Sequence, residues 1–303
     1  MKVAFLFPGQ GSQTVGMGAE IYRESDSAAR LLEEASEKSG IDFKALMFSE
    51  NELLGKSEFT QPAIVLNSLM CLAAFKERVS IVPEFCMGHS LGEFSALCAS
   101  GALDRVSAIK LVNLRGKFME EDCAGKGAGM MVVLGLPDSK VEEICASSNL
   151  KAWAANYNCD GQVVVAGLKD DLAALEAKFK EAGAKRAMLL NMSVASHCEI
   201  LKNASEKLAC ELEPLLADSF APVISNVTAR PYTTKGEALD LLKRQLTSPV
   251  LYKQSVAAKA GDVDCFIEFG ASVLKGLNRK ITDKPTYSVT DLASLDEAIK
   301  ALA

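Results

Sequence analysis

Six residues near the middle of the chain, Ala124-Gly125-Lys126-Gly127-Ala128-Gly129, place three glycines in five positions. That texture suits a crossing between two units better than the interior of a helix or strand. The segment beyond these glycines has a complete grammar of its own. Met130–Leu136 carries the apolar run of a strand and Pro137–Ser148 the pattern of a helix. Lys151–Asn156 and Gln162–Ala166 read as two strands joined by a turn at Asp160-Gly161. Lys169–Ala182 is a helix with Leu172, Leu175 and Phe179 on one face, and Arg186–Val194 a last strand. The order βαββαβ is that of the ferredoxin-like split unit, and it predicts a small domain over residues 125–195.

The flanking segments obey a different rule. Strands are predicted at Val3–Phe7, Glu84–Met87, Val223–Asn226 and Cys265–Phe269, with helices at Ile200–Leu216, Gly236–Leu246 and about Leu295–Leu302. Asp104 has the position of an N-cap for a long helix running to about Glu121. This is an α/β pattern with a parallel sheet. The expected architecture is a large α/β-hydrolase-like domain, residues 1–124 and 196–303, interrupted by the ferredoxin-like small domain.

Composition narrows the classes of function. Lys and Arg total 33 against 39 Asp and Glu, a net charge of −6. Such a balance gives no global attraction to nucleic acid or anionic membranes, so neither is an expected partner. The longest uncharged windows, Val3–Ala19 and Phe59–Phe75, are 17 residues each and interrupted by polar residues, short of a typical membrane span. Val3–Phe7 is too short for a signal-peptide core. Nine cysteines, an odd number without a CxxC pair, read as reduced, mostly buried thiols of a cytoplasmic protein. With only two histidines, a zinc site would need Cys ligands at spacings that are absent. No bound metal or other cofactor is expected.

Chemistry is concentrated in a few residues. Gly88-His89-Ser90-Leu91-Gly92 matches G-x-S-x-G, in which glycines let the chain turn sharply from strand to helix and expose the Ser hydroxyl. Ser90 is thus either a nucleophile or part of a tight glycine turn. A Ser nucleophile needs a base. His89 abuts Ser90 on a turn where consecutive side chains diverge, which leaves His197 as the candidate, against a purely structural role. On the helix after Asp104, Arg115 sits in the apolar stripe of Ala108, Leu111, Val112, Phe118 and Met119. It is either an internal ion-pair or snorkelling residue, or a fork for a substrate carboxylate, to which guanidinium is geometrically matched. Pro8-Gly9-Gln10-Gly11-Ser12-Gln13 fails as a nucleotide loop, because Thr14 occupies the sixth position of G-x-G-x-x-G and no Gly-Lys-Ser/Thr follows at the spacing of a Walker loop. It could still present bare amides to an oxyanion, or be no more than a turn.

Together these pieces resemble the malonyl-CoA:acyl carrier protein transacylases. Phe7-Pro8-Gly9-Gln10-Gly11-Ser12-Gln13, Gly88-His89-Ser90-Leu91-Gly92-Glu93, Arg115, Ser196-His197 and Arg244-Gln245-Leu246 occur in that family's order. Asn156-Tyr157-Asn158 with Gly161-Gln162 resembles it too, whereas Ala195 stands where the family commonly has Pro. The resemblance covers nearly the whole chain. It implies Ser90 as acylated nucleophile, His197 as base, the backbone amides of Gln10 and Leu91 as oxyanion hole, and Gln10 and Arg115 at the substrate, with Arg115 holding the malonyl carboxylate. It further implies that Gln245 orients His197 through an acceptor oxygen, making a Ser-His dyad. Malonyl-CoA is the implied substrate and acyl carrier protein the partner, the chain acting as a monomer in fatty acid synthesis. An acidic carrier needs a local basic patch; Lys185/Arg186, Lys275/Arg279/Lys280 and Lys117 are the candidates. The rivals are a serine hydrolase, which would order its triad Ser…Asp…His with a late His and have no use for Arg115, and a carrier-docking module without activity.

Overall fold

The computed structural model describes residues 1–192 and 194–302. Its strands are β1 (Val3–Phe7), β2 (Phe85–Gly88), β3 (Ala128–Leu134), β4 (Ala152–Cys159), β5 (Gln162–Leu168), β6 (Arg186–Leu189), β7 (Ser219–Ile224), β8 (Pro231–Thr234), β9 (Cys265–Phe269) and β10 (Thr286–Val289). The helices are α1 (Ala19–Glu24), α2 (Asp26–Ser39), α3 (Phe43–Phe48), α4 (Ser57–Arg78), α5 (Gly92–Ser100), α6 (Arg105–Cys123) and α7 (Asp138–Ser147). They continue as α8 (Lys169–Glu181), α9 (Lys202–Leu212), α10 (Lys235–Gln245), α11 (Tyr252–Lys259), α12 (Leu274–Asn278) and α13 (Leu292–Leu302).

β1 is buried at all five positions, as a strand must be when both faces of its sheet are covered. It lies inside a six-stranded sheet of order β10-β9-β1-β2-β7-β8. Pairing is parallel from β10 to β7. The expected all-parallel sheet is corrected at its edge, where β8 runs antiparallel to β7. β8 and β10 lie outside the strands expected from sequence: Pro-Tyr-Thr-Thr and Thr-Tyr-Ser-Val lack an apolar run. The apolar window near Phe59–Phe75 lies in α4, a core helix packed on α2 and α6 whose most apolar stretch is 89 % buried.

The second sheet has four strands in the order β4-β5-β3-β6, paired antiparallel. Alternation along β3 decides its two faces. Met131 and Val133 join Val163, Val165 and the α8 residues Leu172, Leu175 and Phe179 in a separate core. Met130, on the opposite face, joins Ala155, Val164 and Ala166 in the main core. A parallel bridge between Asn156 and Val250 adds a backbone tie from β4 to the segment before α11. Several boundaries differ from expectation: β3 starts at Ala128, inside the glycine segment read as a crossing, and β7 starts at Ser219 rather than Val223. β4 extends to Cys159 through two register shifts. β6 stops at Leu189, with Ser193 of the predicted strand outside the described residues. The predicted helix 200–216 splits into short 3₁₀ turns around α9, the second containing Pro214, which cannot extend an α-helix interior.

Candidate active site

Parallel pairing of Phe7 with Gly88 brings the ends of β1 and β2 together, and the chain then turns through Ser90 into α5. Both motif glycines are required there. A Cβ on Gly88 would lie 1.9 Å from the carbonyl carbon of Gly92, and one on Gly92 would lie 2.0 Å from the Phe7 carbonyl oxygen. Ser90 is held at φ 53°, a left-handed conformation that non-glycine residues adopt at a cost and that recurs at functional sites. Asn226, in the turn after β7, clamps the bend: its Oδ1 accepts from the Ser90 amide at 2.6 Å and its Nδ2 donates to the Gly88 carbonyl at 2.7 Å.

His197 reaches the elbow from the segment before α9, itself at φ 63°. Its Nδ1 lies 2.8 Å from the Gln245 backbone carbonyl. A carbonyl can only accept, so Nδ1 carries the proton and Nε2 is free to accept from the Ser90 hydroxyl, 2.7 Å away. Burial, reinforced by the nearby Arg115 charge, holds the imidazole down at about 3. It is therefore neutral, with Nε2 open to a proton, across the neutral range. His89 points elsewhere: its Nε2 sits 2.7 Å from Asn158 Oδ1 and its ring packs near Tyr252.

Arg115 is 1 % exposed, on a helix whose start is fixed by Asp104 accepting from the Ser107 amide at 2.9 Å. Its Nη1 donates to Gln61 Oε1 at 2.8 Å and its Nη2 to Gln245 Oε1 at 3.2 Å, with the Ser90 hydroxyl at 3.4 Å. The Phe94 ring lies 5.6 Å from the guanidinium carbon. Among the described residues its Nε has no partner and no carboxylate pairs with it. The internal ion-pair alternative is thus not what the fold builds. Burial lowers its pKa to about 9, leaving it cationic at neutral pH.

The Gln245 side chain links more than the sequence suggested. Besides accepting from Arg115, its Nε2 donates to the Ser90 carbonyl at 3.1 Å and to Glu93 Oε2 at 2.7 Å. Glu93 also accepts from the Tyr232 hydroxyl at 2.8 Å and the Asn226 amide at 3.3 Å. Gln10 comes just after the Pro8-Gly9 turn; its Nε2 donates to Ser57 Oγ at 3.0 Å and its Oε1 accepts from Gln61 at 3.4 Å. Leu91 is the N-cap residue of α5 and fully buried. Sequence reasoning missed Gln61, Asn226 and Tyr232 and gave Glu93 no role. Neutral polar residues about 50 to 140 positions from their partners leave no local signal.

Gln10, Ser57 and Cys123 line a cleft of about 980 Å³ together with Lys56, Lys169 and Met192. Of the basic patches proposed for a carrier, Lys275 and Arg279 line a different hollow of about 780 Å³ with Lys284 and Lys300. Among the described residues, no cluster of three His, Cys, Asp or Glu is arranged to hold a metal ion.

The fold and much of the sequence recur in known proteins. Residues 4–292 match the acyl transferase domain family. The malonyl CoA-acyl carrier protein transacylase of Bacillus subtilis (strain 168) is 40% identical over 315 residues, spanning 99% of this chain and 97% of its own. The crystal structure of malonyl-CoA:acyl carrier protein transacylase from Helicobacter pylori is 48% identical, with a TM-score of 0.97 over 100% of this chain and 98% of that one. A malonyl-transacylase in complex with a type II PKS acyl-carrier protein is 35% identical, with a TM-score of 0.95 over 99% of this chain and 100% of its own. Sequence and fold agree from end to end: the chain is an acyltransferase and belongs to the malonyl-CoA:acyl carrier protein transacylases of the acyl transferase domain family.

Proposed function

We propose that this chain moves a malonyl group from malonyl-CoA to the phosphopantetheine thiol of an acyl carrier protein in two half-reactions. Ser90 Oγ attacks the thioester carbonyl while His197 Nε2 takes its proton. The amides of Gln10 and Leu91 meet the developing oxyanion. The C–S bond breaks, the proton passes from His197 to the leaving sulfur, and CoA departs as a thiol. The carrier's thiol then attacks the malonyl-serine ester in the reverse sense. Arg115 receives the malonyl carboxylate, and the Gln245 carbonyl keeps His197 in the tautomer that accepts. One observation carries this reading: a buried guanidinium without a carboxylate partner stands 3.4 Å from the hydroxyl that is paired with His197.

The same reading divides the chain into a catalytic unit, residues 1–124 and 196–303, and an inserted unit, residues 125–195. The strand order and the two helices of the smaller sheet support its description as a ferredoxin-like split unit, and the elbow at Ser90 supports the hydrolase-like description of the larger. A monomer working in the cytoplasm, with no bound cofactor, fits this reading. The test is intact-mass analysis after mixing with malonyl-CoA. The wild-type chain gains one malonyl increment and Ser90→Ala gains none while keeping its fold. An increment on Ser90→Ala would overturn the nucleophile.

A further inference from the structure

Arg115 is buried, yet its hydrogen-bond partners are all neutral. The nearest acid in its network is Glu93, itself 1 % exposed. One side chain joins the two. Gln245 turns its carbonyl oxygen to the guanidinium at 3.2 Å and its amide nitrogen to the carboxylate at 2.7 Å, so the amide dipole is aligned between cation and anion. Tyr232 and Asn226 supply two further donors to Glu93. Three donors and no acceptor fit the ionised acid. The resting site then holds one cation and one anion and is neutral.

A malonyl group changes that balance, because it brings a second anion to the same cation. Uncompensated charge in a desolvated site is relieved by protonation more readily than it is tolerated. Glu93 is the group poised for it, since burial pushes its carboxyl up to about 7. Among the described residues the titratable and charged groups facing it are Tyr232 from β8, whose hydroxyl burial and Glu93 itself hold in the protonated form, and Arg115 from α6. α10 presents Gln245 and the turn after β7 presents Asn226, and neither titrates.

We propose that Glu93 is the resting counter-charge of Arg115, relayed through Gln245, and that it takes up a proton from solvent when an acyl carboxylate docks on Arg115. The inference rests on the malonyl reading of Arg115. It makes Glu93 a positioning residue, because the Gln245 it fixes also holds His197 and the Ser90 carbonyl. The acyl transfer itself is proton-neutral: Ser90 gives its proton, through His197, to the leaving sulfur. Ionisation of the released CoA thiol is common to all acyl-CoA donors. A malonyl-specific proton uptake therefore reports the carboxylate's arrival alone.

The experiment mixes the whole enzyme with malonyl-CoA or acetyl-CoA in weakly buffered indicator at about pH 7.5, just above the value to which burial pushes Glu93, counting acyl-enzyme by intact mass in the same samples. The expected result is that malonylation takes up more protons than acetylation, by a sizeable fraction of one per acyl-enzyme. The excess shrinks toward zero at about pH 5.5, where Glu93 already holds its proton, and is absent in Glu93→Gln. Equal proton counts for the two donors in the wild-type chain overturn the proposal. So does an excess that is undiminished at the lower pH, a criterion that stands even where Glu93→Gln fails to fold. An excess that survives in folded Glu93→Gln overturns it as well. Absence of any malonyl-enzyme would instead overturn the transferase reading beneath it.

Discussion

A single guanidinium does most to separate this site from that of a generic serine hydrolase. Arg115 was legible in the sequence because a charge in an apolar helical stripe demands an explanation, and the structure shows it buried beside Ser90 rather than ion-paired. Removing one partner of a buried ion pair costs roughly 3–5 kcal/mol, and each 1.4 kcal/mol is about tenfold. Arg115→Ala should therefore slow acylation by malonyl-CoA by about two to three orders of magnitude. Acylation by acetyl-CoA, which has no carboxylate to strand, should hold or rise; equal losses in stopped-flow measurements with both donors would make Arg115 structural. His197 was legible only through scarcity, as one of two histidines. Its environment gives a second test. Because its folded value of about 3 lies below the ordinary 6.5, it stays an unprotonated base down to mildly acidic pH. The pH dependence of kcat/KM with acetyl-CoA should show no histidine limb between about pH 5 and 7, whereas a roughly tenfold fall per unit below about 6.5 would contradict the buried, neutral imidazole. Stability is linked with the same sign: His197 charges more readily in the unfolded chain, so its contribution is intact above about 6.5 and is lost as pH falls toward about 3.

Elements whose function is geometric were the easiest to foresee. β1, β9 and the strand–elbow–helix of β2 and α5 arise from apolar runs ended by glycine, and α6 from the Asp104 cap. β8 and β10 were invisible because a four-residue strand with two or three polar side chains has no period to detect. The side chains that complete the site failed for a related reason: Asn226 meets Ser90 across 136 residues of sequence, and only the packing of β7 beside β2 makes that contact. The elbow's tolerance can be tested at Gly92. An added Cβ would press on the backbone of Phe7 and Pro8, which cannot swing aside as a flexible side chain would. Gly92→Ala should lose at least the ~1–3 kcal/mol typical of overpacking in urea denaturation, together with acylation, since Ser90 must move off His197. Wild-type acylation in Gly92→Ala would show that the turn has slack which its contacts do not suggest.

Over the whole molecule, the second sheet shares one face with the main core and covers the other with α7 and α8. Its linking segment, Cys123 to Ala128, borders the cleft that also holds Gln10 and Ser57. On the proposed reading the substrate arms enter by this cleft, past Lys56 and Lys169. Both donors and acceptors would use that one entrance in turn, which suits a covalent intermediate that lets the first product leave before the second thiol arrives. The decisive measurement isolates that intermediate. Malonyl-enzyme is freed of CoA by desalting and mixed with an acyl carrier protein bearing its phosphopantetheine thiol, and both proteins are weighed over time. The malonyl increment should leave the chain and appear on the carrier in equal amount, at a rate well above release of free malonate in its absence. An increment that stays on the chain, or that is lost only to water, would contradict a transferase acting through Ser90.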